Sequence, residues 1–181
     1  MIRPLLWLMA GAVLGGIIHI FVILTLPALA EQSVWTRVAD IDADNRMAIL
    51  PPVKAGEANP LGLDPELVYG LCRVDLSQGP AYVKGTLPDA FWSVALFNQS
   101  GIVAYSTTNR DGIGQVLDLG IFNAGQTRLL AQQQLDVAEG LLVVESTSDK
   151  LLVLVRLAPP HQAVRARFER SLANVTCGTR P

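Results

Sequence analysis

The residue types best suited to holding a small ligand lie between positions 69 and 111. Aromatic rings beside Arg and Asp can line a cleft whose few polar groups orient a small molecule. The candidate ligand-binding set is Tyr69, Arg73, Trp92, Tyr105, Arg110 and Asp111. Aromatic residues in strands more often belong to a core, and Asn-Arg-Asp-Gly at 109–112 is typical of a turn. The set therefore supports only an alternative function, that of a small-ligand-binding or hydrolytic domain.

The other polar residues do not form a recognisable catalytic or metal-binding motif. Histidine occurs only at His19 and His161, so no Ser-His-Asp or Cys-His arrangement is easy to assemble. The sequence has neither a Gly-x-Ser-x-Gly motif nor a Cys-x-x-Cys motif. We therefore predict no catalytic residues, no metal site and no cofactor, and we favour a protein that is not an enzyme.

A partial calcium-loop pattern occurs at positions 40–51. Carboxylates alternate at Asp40, Asp42 and Asp44, as they do in the first half of an EF-hand loop. The sixth position of that loop should be Gly and is Asn45, and the twelfth should be Glu and is Pro51. The pattern is therefore more typical of a solvated helix end than of a metal site.

The elements that must position these residues begin with an apolar segment. From Leu5 to Leu26 the chain has no Asp, Glu, Lys or Arg. A helix of this length would cross roughly 33 Å, which is enough for the hydrocarbon core of a bilayer. Pro27 is expected to end the helix. We predict that residues 1–30 form a transmembrane anchor and that residues 31–181 form an exported domain.

A cleaved signal peptide is the competing interpretation of this segment. Ala28-Leu29-Ala30 is an acceptable cleavage site, and Arg3 supplies a short basic region. The apolar stretch is longer than that of a usual signal peptide, which favours the anchor. Arg3 before the helix and Glu31 after it predict a cytoplasmic N-terminus. The expected location is the inner membrane, crossed once, with the C-terminal domain in the periplasm.

Small residues recur on one face of the predicted anchor. Gly11, Gly15 and His19 are spaced four residues apart, so a helix places them together. Gly-x-x-x-Gly allows two membrane helices to approach closely, and the imidazole could donate a hydrogen bond across the contact. Gly is also common in membrane helices that make no such contact. The face therefore predicts either helix association or an ordinary membrane span.

Two cysteines, Cys72 and Cys177, follow the anchor. In an oxidising compartment such a pair predicts one disulfide bond. Closing a loop of about 100 residues would stabilise the domain by roughly 4 kcal/mol in the chain-entropy model. Two buried thiols are the alternative.

Short β-prone runs separated by turn residues dominate the rest of the chain. The clearest runs are 81–87, 91–98, 102–108, 115–122, 141–146 and 151–157. The second and third should form a hairpin, and so should the last two. Shorter helices are expected at 33–44 and 67–71, the latter leading into a strand at 72–76.

The chain closes with a predicted amphipathic helix at 161–174. Its apolar stripe is Val164, Phe168, Leu172 and Val175. Arg165, Arg167 and Arg170 occupy other faces, where a solvated surface is the expected role and contact with lipid or a partner is the alternative. The fold class is α+β, with an N-terminal transmembrane helix, a mainly antiparallel β-sandwich-like domain and a packed C-terminal helix.

The sequence also resembles a known family. The motifs Cys72-Arg73-Val74-Asp75-Leu76, Phe91-Trp92-Ser93 with the apolar strand after it, and Arg156-Leu157-Ala158-Pro159 are similar to those of the bacterial family called domain of unknown function 1254. The resemblance to short, membrane-anchored members covers nearly the whole chain. It implies a β-rich exported domain and, in longer relatives, a second uncharacterised companion domain. It implies no catalytic residues.

These observations favour a membrane-anchored, non-enzymatic bacterial envelope protein. Its exported domain is expected to be an interaction module for a membrane or periplasmic partner, and a separately encoded protein could supply the family's companion domain. The lipid bilayer is the expected surrounding of the anchor. With a net charge of −2 the chain has no basic field, so nucleic acid is not an expected partner. The sequence does not predict an oligomeric state.

Overall fold

The computed structural model describes residues 2–29, 34–54, 56–110, 114–132 and 140–180. It has a long N-terminal helix followed by a domain of two sheets and shorter helices. The α-helices are α1 (Ile2–Leu29), α2 (Val34–Arg37), α3 (Ala124–Gln132) and α4 (Arg165–Ala173). Single 3-10 turns lie at Leu76–Gln78 and Gln162–Val164.

Nine described strands form the two sheets. They are β1 (Ala48–Ile49), β2 (Val68–Asp75), β3 (Ala81–Thr86), β4 (Trp92–Asn98), β5 (Val103–Thr108), β6 (Val116–Asn123), β7 (Leu142–Ser146), β8 (Lys150–Leu157) and β9 (Thr176–Thr179). The first sheet has the order β1-β2-β8-β4-β5, and the second has the order β7-β6-β3-β9. Each pair of neighbouring strands among those described is antiparallel, except that β6 and β7 are parallel. The predicted α+β fold with mainly antiparallel sheets is confirmed.

The two sheets enclose one apolar core. Along β2, Val68 and Val74 contribute to this core, together with Val83 from β3 and Leu119 from β6. Trp92 on β4 is also part of it and is 1% exposed. Successive residues of a strand point to opposite faces, so alternate residues of the first sheet face away from this core.

A second apolar cluster covers that outer face of the first sheet. Val38 and Leu50, from the chain before β2, pack there with Leu71 of β2 and Leu152 of β8. Strand β8 is therefore covered on both faces. A strand in that position needs apolar residues throughout, which explains its nearly continuous apolar sequence KLLVLVRL.

The helix predicted at 67–71 is wrong, because Val68–Asp75 is one continuous strand. Its residues pair with β8 from Val68–Leu157 to Asp75–Lys150. The Asp64-Pro65 pair begins a turn instead of a helix: the Asp64 carboxylate accepts a hydrogen bond from the Glu66 amide at 2.8 Å. A short apolar run buried on both faces has the same composition in a helix and in a strand.

The hairpin predicted for 141–146 and 151–157 is also wrong. Strand β7 pairs with β6 in the second sheet, whereas β8 lies between β2 and β4 in the first. Residues 147–149 therefore cross from one sheet to the other. The hairpin predicted for 91–98 and 102–108 is confirmed by the antiparallel pairing of β4 with β5.

Helix α3 provides the crossover between β6 and β7 that a parallel pair requires. It lies where no element is predicted from the sequence. Asn123 Oδ1 accepts from the Gln126 amide at 3.0 Å, and Gln126 Oε1 accepts from the Asn123 amide at 2.9 Å. This reciprocal pair has the geometry of a capping box, so Asn-x-x-Gln was the available signal.

Helix α1 continues two residues beyond Pro27, where it was expected to end. Proline fixes φ near −65°, a value compatible with a helix, and so close to the C-terminus only one backbone bond is lost. The segment Arg3–Leu26 has 24 residues, a mean hydropathy of 2.3 and no buried residues. This one helix is long and apolar enough to cross a membrane, although a signal sequence would meet the same criterion. The helix expected at 33–44 is shorter, with one α-helical turn at Val34–Arg37.

The packed C-terminal helix is confirmed. After the 3-10 turn, Phe168 and Leu172 of α4 are buried in the main core. Arg165 does not lie on a solvated face as expected, since its side chain is only 13% exposed. Its guanidinium donates to the carbonyl oxygens of Pro65 at 2.9 Å and Leu67 at 3.0 Å. Arg165 thus fixes α4 to the loop before β2.

Candidate functional site

The predicted ligand-binding residues do not surround one cleft in the described part of the chain. Tyr69 and Arg73 lie on the outer face of the first sheet. Tyr69 is buried in the cluster there, and Arg73 donates to the carbonyl oxygens of Val38 and Ala39. Trp92 and Tyr105 pack in or against the core between the sheets. The first sheet therefore separates the two pairs.

The last two members of the set lie in the turn after β5. Arg110 is exposed, and its amide donates to the Thr108 hydroxyl at 3.3 Å. Asp111 is outside the described residues. A ligand-binding role for the set remains a prediction, without a common site among its described members.

Arg73 is the centre of a hydrogen-bond network that holds the segment after α2. Its Nε and Nη2 donate to the two carboxylate oxygens of Asp44 at 2.9 and 3.2 Å. Nη1 donates to the carbonyl oxygens of Val38 at 3.2 Å and Ala39 at 3.0 Å, and Nη2 also donates to Ile41 at 2.9 Å. A guanidinium has five N–H donors, so these contacts occupy it fully. The role of Arg73 is therefore structural.

Tyr69 and Trp92 are also held by the fold. The Tyr69 side chain is buried in the outer cluster, and its hydroxyl accepts a hydrogen bond from the Asp64 amide at 2.9 Å. Trp92 fills the core between the sheets. Both rings are well placed to support the domain and poorly placed to meet a ligand.

Two of the three carboxylates of the partial calcium loop are engaged elsewhere. Asp42 pairs with Arg46, and Asp44 pairs with Arg73. Asn45, at the position where a calcium loop has Gly, does adopt a positive φ of 52°. Its Oδ1 accepts a hydrogen bond from the Thr179 amide at 3.1 Å and so joins this loop to β9. The described residues contain no group of three or more His, Cys, Asp or Glu that could hold a metal ion.

The small-residue face of α1 is open. Gly11, Gly15 and His19 are all exposed, and a Cβ added at either glycine would meet no atom within 4 Å. This geometry leaves room for a second helix to approach. Helix association through this face remains a prediction.

The predicted disulfide bond between Cys72 and Cys177 is present. It joins β2 of the first sheet to β9 of the second, with a Cα–Cα distance of 6.5 Å and a sequence separation of 105 residues. Both cysteines belong to the main core. The bond therefore ties the two layers of the sandwich together from within.

An apolar pocket of about 210 Å³ opens on the outer face of the first sheet, beside α2. Its floor consists of side chains from three adjacent strands, Leu71, Leu152, Leu154 and Phe97. Its walls come from α2 and the following loop: Val34, Val38, Leu50, Leu61 and Leu63. Among the described lining residues, Arg37 is the single charged one. This concavity is the best candidate for a ligand site in the described structure.

The sequence contained a weak signal for this pocket. Leu61 and Leu63 are apolar residues in a loop that is otherwise rich in Gly, Pro and polar residues. Apolar residues in a loop need a surface to cover, and here that surface is the sheet. Which strands supply the floor depends on the sheet order, and local patterning does not specify that order.

Asp75, at the end of β2, is the described carboxyl group whose pKa is clearly shifted. Its Oδ1 accepts hydrogen bonds from the Ser77 hydroxyl at 2.6 Å and the Ser77 amide at 3.0 Å. These two bonds, with the positive charge of Lys150, hold the pKa of Asp75 below its usual 3.8. The hydrogen bonds stabilise the ionised form and cap the 3-10 turn at Leu76–Gln78.

Replacing Ser77 by alanine should raise the pKa of Asp75 toward its ordinary value, because the strongest hydrogen bond to the carboxylate is lost. Since the folded-state pKa is depressed, the contribution of this contact to stability is present above pH 3.8. It is lost as the pH falls through the lower folded-state value. An NMR titration of the carboxyl carbon measures the shift. Ser106→Ala on β5, an exposed site, is the control, and an unchanged Asp75 pKa in S77A would contradict the assignment.

The comparisons with known proteins bear on the fold alone. No protein-family model matches the chain, and neither does any curated protein. The chain is similar in structure to the VPA0106 protein of Vibrio parahaemolyticus, with a TM-score of 0.51 and 11% identity over 65% of this chain and 28% of that one. An uncharacterised protein from Burkholderia cenocepacia has a TM-score of 0.47 and 15% identity, over 76% of this chain and 34% of that one. The chain thus spans about a third or less of either protein, and the first likeness is one of sandwich architecture.

Proposed function

We propose that the protein is a membrane-anchored, non-enzymatic envelope protein whose β-sandwich domain (residues 34–180) is an interaction module. One observation carries the proposal: α1 presents an unburied apolar span of 24 residues, and the domain begins at Val34, a few residues after α1 ends at Leu29. An unburied apolar helix of this length needs a nonpolar surrounding, which a bilayer supplies.

The proposed orientation places the domain in the periplasm. Arg3 is the first residue of the span and Glu31 follows it, so the positive charge is on the N-terminal side. The Cys72–Cys177 bond agrees with an oxidising compartment, where disulfides form and persist. Together these features support the inner membrane as the location and argue for a signal-anchor. Cleavage after Ala30 is the competing fate of the segment.

The proposed partner is a membrane or periplasmic protein. The open face at Gly11, Gly15 and His19 offers one contact surface within the bilayer. If the resemblance to domain of unknown function 1254 holds, a separately encoded companion domain is a natural second candidate. The family membership is itself part of this proposal.

A periplasmic small-ligand-binding domain is the second candidate function. The observation that favours it is the apolar pocket beside α2, and not the predicted ligand-binding set. The hydrolytic version of this alternative has no comparable support from the described residues.

The test is in-cell crosslinking of the full-length protein with a C-terminal affinity tag, followed by purification from detergent-solubilised membranes. The anchor interpretation predicts recovery in the membrane fraction with an intact N-terminus. The interaction-module proposal predicts a reproducible crosslinked companion. If α1 makes the contact, replacing both Gly11 and Gly15 by leucine should abolish the crosslink, because bulky side chains prevent close helix approach.

The matched control is the double variant Ala12→Leu and Gly16→Leu, which places two leucines at the same spacing on the neighbouring face. It should retain both membrane location and the crosslinked companion. Recovery of the wild-type protein alone and soluble in the periplasm, beginning at Glu31, would refute both the anchor and the partner.

A further inference from the structure

In the sequence, the apolar pocket begins a few residues after the proposed transmembrane helix. Val34, the first residue of α2, lines the pocket, and Leu29 is the last residue of α1. Five residue steps separate them, so an extended chain spans at most about 18 Å. The pocket is therefore held within a short distance of the end of the helix that we propose crosses the bilayer.

The lining of the pocket suits a hydrocarbon. Leu71 and Leu152 at its floor are 1% and 2% exposed, so the floor is screened from water. Phe97 and Leu154 extend this apolar surface across the sheet. The volume of about 210 Å³ exceeds that of an engineered apolar cavity of about 150 Å³ that takes up benzene. A polar ligand would find few partners here, whereas an alkyl chain would gain apolar contact.

One cation marks the rim. Arg37 is exposed and donates Nη1 to the Pro60 carbonyl oxygen at 3.0 Å. This bond fixes the guanidinium beside the pocket and uses one of its five N–H donors. An arginine in this position complements an anionic group whose apolar tail enters the pocket. No carboxylate lies among the lining residues that the structure describes.

We infer that the pocket beside α2 binds one acyl chain of an anionic membrane phospholipid, with the lipid phosphate beside Arg37. The inference rests on the proposed membrane anchoring, because the anchor brings the pocket to the lipid. The domain would then hold one lipid partly withdrawn from the bilayer. Free fatty acid shares the same apolar and anionic chemistry, and the experiment below separates the two sources.

The test reconstitutes the full-length protein in nanodiscs that contain phosphatidylglycerol with a photoactivatable diazirine near the end of one acyl chain. After illumination and trypsin digestion, mass spectrometry identifies the labelled peptides. Labelling is expected in α1, which contacts bulk lipid, and also in the peptides 55–73 and 151–156. Those two peptides contain Leu71 and Leu154 of the pocket floor.

A bulky side chain that fills the pocket should remove the labelling of the pocket peptides and leave the labelling of α1 unchanged. Leu154→Trp is expected to lower labelling of peptide 55–73 by roughly tenfold, equivalent to about 1.4 kcal/mol of binding free energy. Leu63→Trp, at the pocket wall, should do the same and guards against misfolding of the first variant. The control is Val143→Trp on β7, an exposed position of the other sheet, which should leave both labelled regions unchanged.

The rim residue gives an independent readout. Arg37→Gln should lower pocket labelling from phosphatidylglycerol several-fold while leaving labelling from a phosphatidylcholine probe unchanged, because only the anionic headgroup pairs with the guanidinium. Labelling of the pocket by a diazirine fatty acid but not by the phospholipid probe would overturn the phospholipid inference.

Label in α1 without label in the pocket peptides would refute the lipid site and leave the anchor intact. Absence of label from α1 would refute the proposed anchoring itself. The two proposals therefore fail in different ways.

Discussion

Replacing both Cys72 and Cys177 by alanine is expected to lower the free energy of unfolding of the β-sandwich domain by about 4 kcal/mol. For a domain of this size the melting temperature should fall by about 12 °C. Thermal unfolding of the full-length protein in detergent measures the change, followed by tryptophan fluorescence, to which Trp92 in the core contributes.

The size of this effect follows from the position of the bond. The disulfide joins β2 to β9 across a sequence separation of 105 residues, so it greatly restricts the unfolded chain. Both cysteines are buried, at 0% and 7% exposure, and alanine removes only one sulfur atom at each site. Loss of packing is therefore a minor part of the effect.

A reducing agent provides the internal control for the disulfide. It should lower the melting temperature of the wild-type protein to that of the double variant and leave the variant unchanged. A reducing agent that lowers the melting temperature of both proteins equally would show that the bond is not responsible.

Arg73→Met is expected to lower the free energy of unfolding by about 3 kcal/mol, because three backbone carbonyls and the Asp44 carboxylate lose their donor. The side chain is only 12% exposed, so water replaces these bonds poorly. Urea unfolding of the full-length protein in detergent measures the loss. Arg167→Met on α4, at an exposed position, is the matched control and should change stability by less than about 0.5 kcal/mol.

The carbonyl contacts, and not the ion pair, should dominate the effect at Arg73. Asp44 is 75% exposed, so Asp44→Asn is expected to cost less than about 1 kcal/mol. Arg73→Lys keeps the charge but cannot reach four acceptors with one ammonium group, so most of the loss should persist. If Asp44→Asn were as damaging as Arg73→Met, the ion pair would be the main stabilising contact.

Local sequence patterns predicted much of the sandwich. The strands β3 to β8 lie within one or two residues of their predicted positions, since turn residues mark the ends of each β-prone run. The apolar stripe of the last helix placed Phe168 and Leu172 in the core correctly. The disulfide followed from two cysteines and an expected oxidising compartment.

The failures share a cause, which is that sheet order depends on contacts between distant segments. β7 and β8 are consecutive and β-prone, so they resembled a hairpin, yet they lie in different sheets. Strand β2 resembled a helix at its start because both its faces are buried. Among the described strands, β9 pairs with β3 alone, and nothing in its four residues predicts that partner.

The candidate site also depends on contacts between distant segments, which local sequence patterns do not predict. Tyr69, Arg73 and Trp92 have the residue types of a ligand cleft, but the strand alternation directs them to opposite sides of one sheet. The apolar pocket needs β2, β8 and β4 side by side, with Val34, Val38, Leu50, Leu61 and Leu63 packed over them. No short window of the sequence contains that arrangement.

The order of the strands also sets when the domain can fold. Strand β8 lies between β2 and β4 in the first sheet, and Ala81 of β3 pairs with Thr179 of β9 in the second. Each sheet thus waits for a strand that is synthesised well after its neighbours. Such high contact order slows folding to the range of milliseconds to seconds and leaves β2 and β4 with exposed edges in the meantime. A chain stalled before residue 150 would present those edges to other chains, so the emergence of β8 and β9 is the step that ends its exposure to aggregation.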